Sequence, residues 1–585
     1  MNHKRWVFQQ VDEQLVTDLH ENLRINRILC HLLVQRGIYT FDDAKRFFRP
    51  SLEEHLHDPF LMKDMDKAVE RIDKAIRNKE KILVYGDYDV DGTTSVALMY
   101  SFIKELYYHV DYYLPDRYSE GYGISMQSID WAGENGFSLI IALDCGIKAI
   151  DKIEYANQKG IDFIICDHHR PDEVLPSAVA ILDPKQNDCS YPYGELSGCG
   201  IGFKLIQAIA MRQDIPLKKL TRYLDLVVVS IAADIVPITD ENRVLAHFGL
   251  KQINRQPRPG LRSLMELNAI NRQLTISDIV FTIAPRINAA GRMDDAEQAV
   301  RLLVSSEGIA ARQNADVLQE QNTKRKMIDT DITGEAYKYV ESLPDFKTRK
   351  AFVLYEQHWH KGVIGIVASR LSEKYLRPAI VMTLSNGIVN GSARSVPGFD
   401  IYNALKACSE LLEQYGGHKY AAGVTLKAEN VQTFISRFEQ IVNETIEDTM
   451  LIPEIKIDAE LRVRDVNNNF YNIIKQFAPF GPGNMKPVFL IRGLSDAGWT
   501  SVVGNKHLRL YLRHESSSVV LKGIAYNMAD SLAEVKSGKR FDVCFTIEEN
   551  IYNGAATLQL NVKDMKESED LYMYEFSAME GNMYV

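Results

Sequence analysis

One stretch, residues 84–95, V-Y-G-D-Y-D-V-D-G-T-T-S, constrains this chain more than any other. It follows an apolar run at 81–85 that reads as a short buried strand, and it packs Asp87, Asp89 and Asp91 into five residues before Gly92 turns the chain. In extended backbone alternate residues share a face, so the three carboxylates would point one way at intervals of roughly 6 to 7 Å. Such a cluster repels itself unless cations lie among its oxygens, and hard divalent ions such as Mg2+ or Mn2+ prefer carboxylate oxygens. For an isolated D-x-D-x-D, a solvated acidic turn is the plain alternative. Later segments decide between the two.

The run before this stretch, 64–78, has Ala68, Val69, Ile72, Ala75 and Ile76 at helical spacing, and 93–106 after it again predicts a helix. Strands are predicted at 110–114, 139–143, 161–166 and 179–182, with a helix near 148–158. Strands alternating with helices imply an α/β fold built on a mainly parallel sheet covered on both faces. The strand ends then carry chemistry. The first delivers Asp87, another Asp144 in L-D-C-G-I, and the next Asp167, His168 and His169. Loops at the carboxyl ends of parallel strands share one edge, where ligands bind, so these groups should converge. Asp234 sits in L-V-V-V-S-I-A-A-D-I-V-P, an apolar helical run where a lone buried charge would be costly, and a metal or a histidine beside it would remove that cost.

A chain of 585 residues exceeds one core and predicts three or four domains. Its 46% hydrophobic and 25% charged residues are those of an ordinary soluble globular protein. No apolar stretch reaches about 18 residues, and the start carries charge without an apolar signal region, which places the chain in the cytoplasm and away from membranes. Seven scattered cysteines without a C-x-x-C pair argue against a zinc knuckle or a disulfide framework. The net charge of -10 argues against a broad basic surface but leaves room for a local basic channel.

The ordered set D-Y-D-V-D-G, L-D-C-G-I, D-H-H and the aspartate of A-A-D resembles the Asp-His-His (DHH/DHHA1) phosphoesterase superfamily. Further matches look like its bacterial single-stranded-DNA exonuclease branch: E-G-Y-G at 120–123, R-I-N-A-A-G-R at 286–292, W-H-K-G-V-I-G-I-V-A-S-R-L at 359–371, G-S-A-R-S at 391–395, G-G-H-K-Y-A-A-G at 416–423 and P-F-G-P-G-N at 479–484. The resemblance implies catalytic roles for Asp89, Asp91, Asp144, His168, His169 and Asp234. It implies that Asp89, Asp91, Asp144, His168 and Asp234 ligate metal, with Asp87 and His169 as ligands or outer-sphere groups. Two ions, Mn2+ or Mg2+, about 4 Å apart would serve an in-line phosphodiester displacement. Tyr85 departs from the pattern, because small-substrate branches usually carry a histidine there. Substrate contacts are implied for Arg286, Asn288, His360, Ser392, Arg394, Ser395, Gly416, Gly417 and His418, with Arg286 and Asn288 facing the metal site. The glycines let backbone amides approach a phosphate, and Arg394 and His418 can donate to it.

The expected organisation is a helical cap over 1–50, a DHH catalytic domain over 51–295, a connecting long helix over 296–343 and a smaller α/β DHHA1 domain over 344–448. In the last of these, strands are predicted at 351–355 and 379–383, and helices at 363–374 and 402–414. From about residue 453 short strands with polar turns predict an all-β OB-like barrel over 449–566, then a tail over 567–585. Phe480, Phe489, Trp499 and Tyr511 are candidates either for its core or for stacking on bases. The whole implies a metal-dependent exonuclease on single-stranded DNA, working 5′ to 3′ and releasing mononucleotides in repair and recombination. A single-strand-binding protein and a RecQ-type helicase are partners suggested by the family alone. The alternatives are a nanoRNA or cyclic-dinucleotide phosphodiesterase, and a replication scaffold without catalysis.

Overall fold

Side chains alternate between two apolar layers along the strands Lys81–Gly86, Phe137–Leu143 and Asp162–Cys166. Ile82, Val84, Leu139, Ile141 and Ile164 face one layer, while Leu83, Tyr85, Ile140, Ala142 and Phe163 face the other. A sheet buried on both sides needs apolar residues at every position, and these runs supply them. The computed structural model describes residues 4–293, 295–552 and 555–568. The last residues of the expected tail, 569–585, lie outside the described residues. Two units emerge, one comprising Pro50–Ile452 with Gly481–Gly483, the other Met1–Arg49 with Pro453–Phe480 and Asn484–Val585.

In the first unit the five-stranded sheet is wholly parallel, in the spatial order Val110–Tyr113, Lys81–Gly86, Phe137–Leu143, Asp162–Cys166, Ala180–Leu182. Numbered along the chain this is 2-1-3-4-5, so the direction of winding reverses between the first and third strands. Asp87 follows the first and Asp144 follows the third. The acidic stretch is not extended as expected. The strand ends at Gly86, Asp89 caps the helix Val90–Leu106 by accepting from the Gly92 amide at 2.9 Å, and Asp91 lies in that helix's first turn. A good N-cap and the helix dipole, which favours acids at this end, outweigh the strand pattern.

The same unit contains a smaller mixed sheet in the order Gln414–His418, Ala421–Leu426, Ile388–Arg394, Ala379–Ser385, Phe352–Tyr355, in which only the last two strands run parallel. The glycine motif at 391–395 lies mostly on the strand Ile388–Arg394, that at 416–423 forms a hairpin turning at Lys419 and Tyr420, and the helix expected over 402–414 ends at Lys406, with Gln414 beginning a strand. The single long helix expected over 296–343 is two, Glu297–Val304 and Gly308–Ser342, interrupted where S-S-E-G disfavours helix.

In the second unit the strand Phe489–Asp496 pairs with Phe541–Tyr552 on one side and, through Asp496 opposite Leu512, with His507–Arg513 on the other. This closes a barrel through Ala555–Glu567 and Leu521–Ala525. The N-terminal segment belongs to it. Arg5–Phe8 pairs in parallel with Glu454–Ile457, and Val16, Leu19, Leu29 and Leu32 share one core with Phe477, Phe489 and Phe545. Of the aromatic candidates Phe489 is core, whereas Trp499 is 66% exposed. All seven cysteines are free, and six of them are buried. Among the described residues no helix is long and apolar enough to cross a membrane.

Candidate metal centre and its basic wall

Asp91 is fixed before any ligand arrives. The amides of Gly198 and Cys199, at the start of the helix Gly198–Arg212, donate to its two oxygens at 2.7 and 2.9 Å, and the Ser230 hydroxyl donates at 2.7 Å. Two glycines permit the approach. A Cβ at Gly198 would lie 2.7 Å from the Asp144 Cβ, and one at Gly92 would lie 2.3 Å from the Asp87 carbonyl oxygen. Asp144 itself adopts a left-handed backbone, φ 59°, which costs a non-glycine residue energy and is a form of strain that collects at functional sites.

His168 stands at the centre. Its Nε2 lies 3.1 Å from Asp144, 3.6 Å from Asp234 and 3.8 Å from Asp91. One imidazole nitrogen has at most one proton, so it cannot satisfy three carboxylates. Burial holds this imidazole below its ordinary pKa and therefore neutral. Meanwhile Asp87 Oδ2 and Asp144 Oδ1 are buried without hydrogen-bond partners among the described residues. Burial first, then the neighbouring carboxylates, pushes the Asp87 and Asp144 carboxyls well above the usual range, and Asp89 also upward. Orphaned acceptors converging on a neutral imidazole fit hard divalent cations. Two groups are placed to hold one: Asp144 with His168 and His169, and Asp91 with His168 and Asp234, each with ligand atoms within 4.8 Å.

Asp167 plays a different part. It is 1% exposed, accepts from the amides of Ile147, His168 and His169, and binds His169 Nδ1 at 2.7 Å. That leaves His169 Nε2 for the cleft. Burial alone would lower the His169 pKa, but the hydrogen bond and charge of Asp167 outweigh it and carry it to about 9. Asp234 corrects an expectation. It caps the end of the helix Leu224–Ala233 rather than lying inside it, and its side chain keeps 31% exposure, so it borders the cleft instead of being buried in the apolar run. Tyr85 turns away from the cleft, donating to the Gly123 carbonyl at 2.8 Å and stacking on Tyr113.

The smaller sheet supplies the facing wall. The His418 ring lies parallel to His169, and Gly416 and Gly417 precede it on one strand, where a side chain at Gly417 would strike the Ala421 carbonyl at 2.4 Å. Arg394 donates to the hydroxyls of Ser369 and Ser392 at 3.1 and 3.0 Å. His360 is half-buried against Tyr118, with its Nδ1 accepting from the Gly362 amide. Ser395 does not join this wall by its hydroxyl, which donates to the Phe399 carbonyl at 2.9 Å and holds a turn. Arg286 is likewise misplaced by the sequence reading. Its guanidinium donates to Gln319, the Thr282 carbonyl and Asn268, within the helical layer. Asn288, two residues on and so about 200° around the helix, is half-buried on another side.

Sequence reasoning missed Arg292 and Arg117. Arg292 stands one helical turn beyond Asn288, and its burial, then the nearby Arg117 and Arg394, lower its pKa to about 10. Gly291 packs on the Tyr88 backbone, where a Cβ would lie 2.5 Å from the carbonyl oxygen, and Gly362 packs as closely on the Arg292 carbonyl. Arg117 lies over the Tyr88 ring at 4.8 Å. Among the described residues Arg117, Arg292 and Arg394 form no ion pair. The signal available was the second arginine of R-I-N-A-A-G-R, which shares a helical face with Asn288 while the first does not. Tyr122 of E-G-Y-G also borders the acids, 5.8 Å from Tyr88 and 6.5 Å from His169.

Three family models match the chain in order. Residues 81–231 match the DHH family, N-terminal domain, residues 348–444 the DHHA1 domain, and residues 457–564 the RecJ OB domain. The chain is 37% identical over 569 residues to the single-stranded-DNA-specific exonuclease RecJ of Bacillus subtilis (strain 168), covering 97% of this chain and 71% of that relative. It is 31% identical to the protein of the same description from Escherichia coli (strain K12), covering 92% and 95%. The crystal structure of RecJ in complex with Mn2+ from Thermus thermophilus superposes with a TM-score of 0.83 at 26% identity, covering 97% of this chain and 80% of that one.

Proposed function

The chain belongs to the RecJ family of single-stranded-DNA-specific exonucleases, and from that premise we propose that it hydrolyses single-stranded DNA from the 5′ end, releasing mononucleotides in repair and recombination. The observation that carries this reading is the meeting of opposites in one cleft: buried carboxylates around His168 on one side, and on the other Arg117, Arg292 and Arg394, which form no ion pair among the described residues. A phosphodiester satisfies both.

Asp89, Asp91, Asp144, His168 and Asp234 would hold two divalent ions, Mn2+ or Mg2+, with Asp87 and His169 as ligands or outer-sphere groups. Ions held there would supply a Lewis acid and lower the pKa of an attacking water. The remaining work falls to the chain. Asp167 orients His169 by its Nδ1, and the amides of Gly198 and Cys199 keep Asp91 from turning away. Arg394, seated on Ser369 and Ser392, and Arg292 would grip the terminal phosphate and so place the adjacent phosphodiester among the acids. With a 5′-phosphate in that grip, the chain would work 5′ to 3′. His360 and His418 would contact the same strand, and the barrel would hold more distant nucleotides. A helicase and a single-strand-binding protein fit as suppliers of opened strand, because unpairing costs about 1.4 kcal/mol per step.

The alternative of a dinucleotide phosphodiesterase has no use for a barrel, and Tyr85 gives it no extra ligand. The test is mononucleotide release from 5′-labelled and 3′-labelled strands in Mn2+ or Mg2+. Early release of the 5′ label, with efficiency rising from two nucleotides toward about a dozen, is expected. Equal efficiency on dinucleotides would overturn the exonuclease reading, and early release from the 3′ end alone would reverse the polarity.

A further inference from the structure

The helix that carries R-I-N-A-A-G-R begins irregularly. It runs Ile276–Asp278, makes one π turn over Ile279–Ile283, and continues as Ala284–Met293. Pro285 explains the wide turn, since it lacks the amide that would bond the Phe281 carbonyl and its ring would press on that carbonyl in a regular helix. The turn leaves Phe281 77% exposed. A single exposed aromatic is ordinary on a surface. This one borders an open, mostly polar pocket of about 630 Å3, walled by Asn271, Arg272, Arg286 and Lys326 with Ala269 and Ile270 beside them. That size falls within the range of small-ligand sites. Ala269, in the same wall, is held at φ 50°, a strained conformation for a residue with a Cβ.

Charge in the pocket is unbalanced. Arg272 closes a fork on Asp278 at 2.5 and 2.7 Å, and that pair cancels. Arg286 is 7% exposed, and its three donors meet only neutral acceptors. Lys326 forms no ion pair among the described residues. Burial first, then the charge of Arg325 on Arg286 and the charges of Arg286 and Arg325 on Lys326, depress both groups. Asp329, the nearby acid, is occupied by Arg325 and Arg370. The pocket is separate from the metal cleft. Lys324, two residues before Lys326 and about 200° around the helix, acts on His360, whereas Lys326 faces Arg286.

We propose that this pocket is a second nucleotide site, in which the base stacks on Phe281, the Asn271 amide meets the base edge, and a 5′-phosphate lies toward Lys326 and Arg286. An aromatic face beside uncompensated cations is the combination that binds nucleotides without strict sequence choice. The ligand is a free mononucleotide or one nucleotide of a strand, since both offer this chemistry.

The test uses the full chain in EDTA, without turnover, and reads backbone hydrogen exchange over residues 268–286. The probes are dAMP, deoxyadenosine, inorganic phosphate and a strand of about a dozen nucleotides. Saturable protection by dAMP is expected, weakened roughly fivefold or more in Phe281→Ala and in Lys326→Gln, while protection around Asp144 and His418 is unchanged. Both replaced side chains are exposed, so the fold and hydrolysis of the shortest strands should persist. Protection by the strand alone would assign the site to a held strand, and protection by dAMP alone to a free nucleotide. Protection by neither, or by deoxyadenosine or phosphate as well as by dAMP, or equal binding by the two variants and the parent, would overturn the proposal. Failure here leaves the catalytic reading untouched.

Discussion

The imidazoles of His169 and His418 lie parallel, ring centroids 6.0 Å apart and planes 9° apart, although one follows a strand of the parallel sheet and the other ends a strand of the smaller sheet. The cleft is therefore composite, with the acids following strands of the parallel sheet and Arg394 and His418 carried by the smaller sheet. Hydrolysis and strand holding should respond to different substitutions.

Asp144→Asn should lower turnover in saturating Mn2+ by more than the roughly 10- to 100-fold that losing an outer-sphere partner costs. Without metal the same change should leave the protein as stable or more so, because it removes a buried carboxylate crowded by Asp91 and Asp89. In Mn2+ the variant should lose the rise in melting temperature that a bound ion confers. His168→Ala should likewise abolish hydrolysis. Thermal melts with EDTA and with Mn2+, beside turnover, check both; near-parental turnover would refute the ligand assignment.

Arg394→Ala should weaken binding of a 5′-phosphorylated strand and flatten the salt dependence of log Kd by about one charge. Bound manganese, measured by elemental analysis, should not change, since Arg394 touches hydroxyls rather than acids. His418→Ala should also spare the metal. Loss of manganese in either would contradict the division between the two walls.

Asp183 offers a pH readout. It is fully buried, its Oδ2 has no partner, and burial, followed by the charge of Asp167, pushes its carboxyl up to about 7. The folded state then binds a proton more tightly than the unfolded chain, so this group lowers stability progressively as pH rises from about 4 to 7. Asp183→Asn should match the parent near pH 4 and exceed it at pH 8, by up to a few kcal/mol at about 1.4 kcal/mol per pKa unit. Urea titrations of the metal-free protein at both pH values decide it, and a gap that does not widen with pH would be the wrong result.

Trp499 is 66% exposed and stands edge-on to Tyr511, ring centroids 5.9 Å apart. Trp499→Ala should raise KM on a strand of about a dozen nucleotides, because stacking on one base is worth about 1 to 3 kcal/mol, while a dinucleotide should be cleaved as before. An unchanged KM on the longer strand would place the strand elsewhere on the barrel.

Deleting residues 453–585 alone should give aggregating protein, because Val16, Leu19, Leu29 and Leu32 would lose the core they share with the barrel, each worth about 1.5 to 3 kcal/mol of burial. Removing Met1–Arg49 as well should reduce that aggregation. Size-exclusion chromatography of the two deletions, with the double deletion no better than the single, would go against this.

The local sequence was enough for the parallel sheet, since its strands are apolar at every position, and for the acids and histidines that end them, since loops at one sheet edge must converge. It was enough for the barrel's strands as well, where alternation repeats between polar turns. It did not reveal that Asp89 caps a helix, because capping competes with strand pattern only once the helix has something to pack on. Nor did it separate Arg286 from Arg292: both stand in one motif, but they point to different sides of one helix, and only the packing of Gly291 on Tyr88 and of Gly362 on Arg292 selects the side facing the acids. The union of residues near the N-terminus with the C-terminal barrel was equally hidden, because a strand pairing between Arg5–Phe8 and Glu454–Ile457 leaves no trace in either segment alone. Periodicity reports which side chains want burial, whereas the partner that buries or faces them is a property of the folded chain.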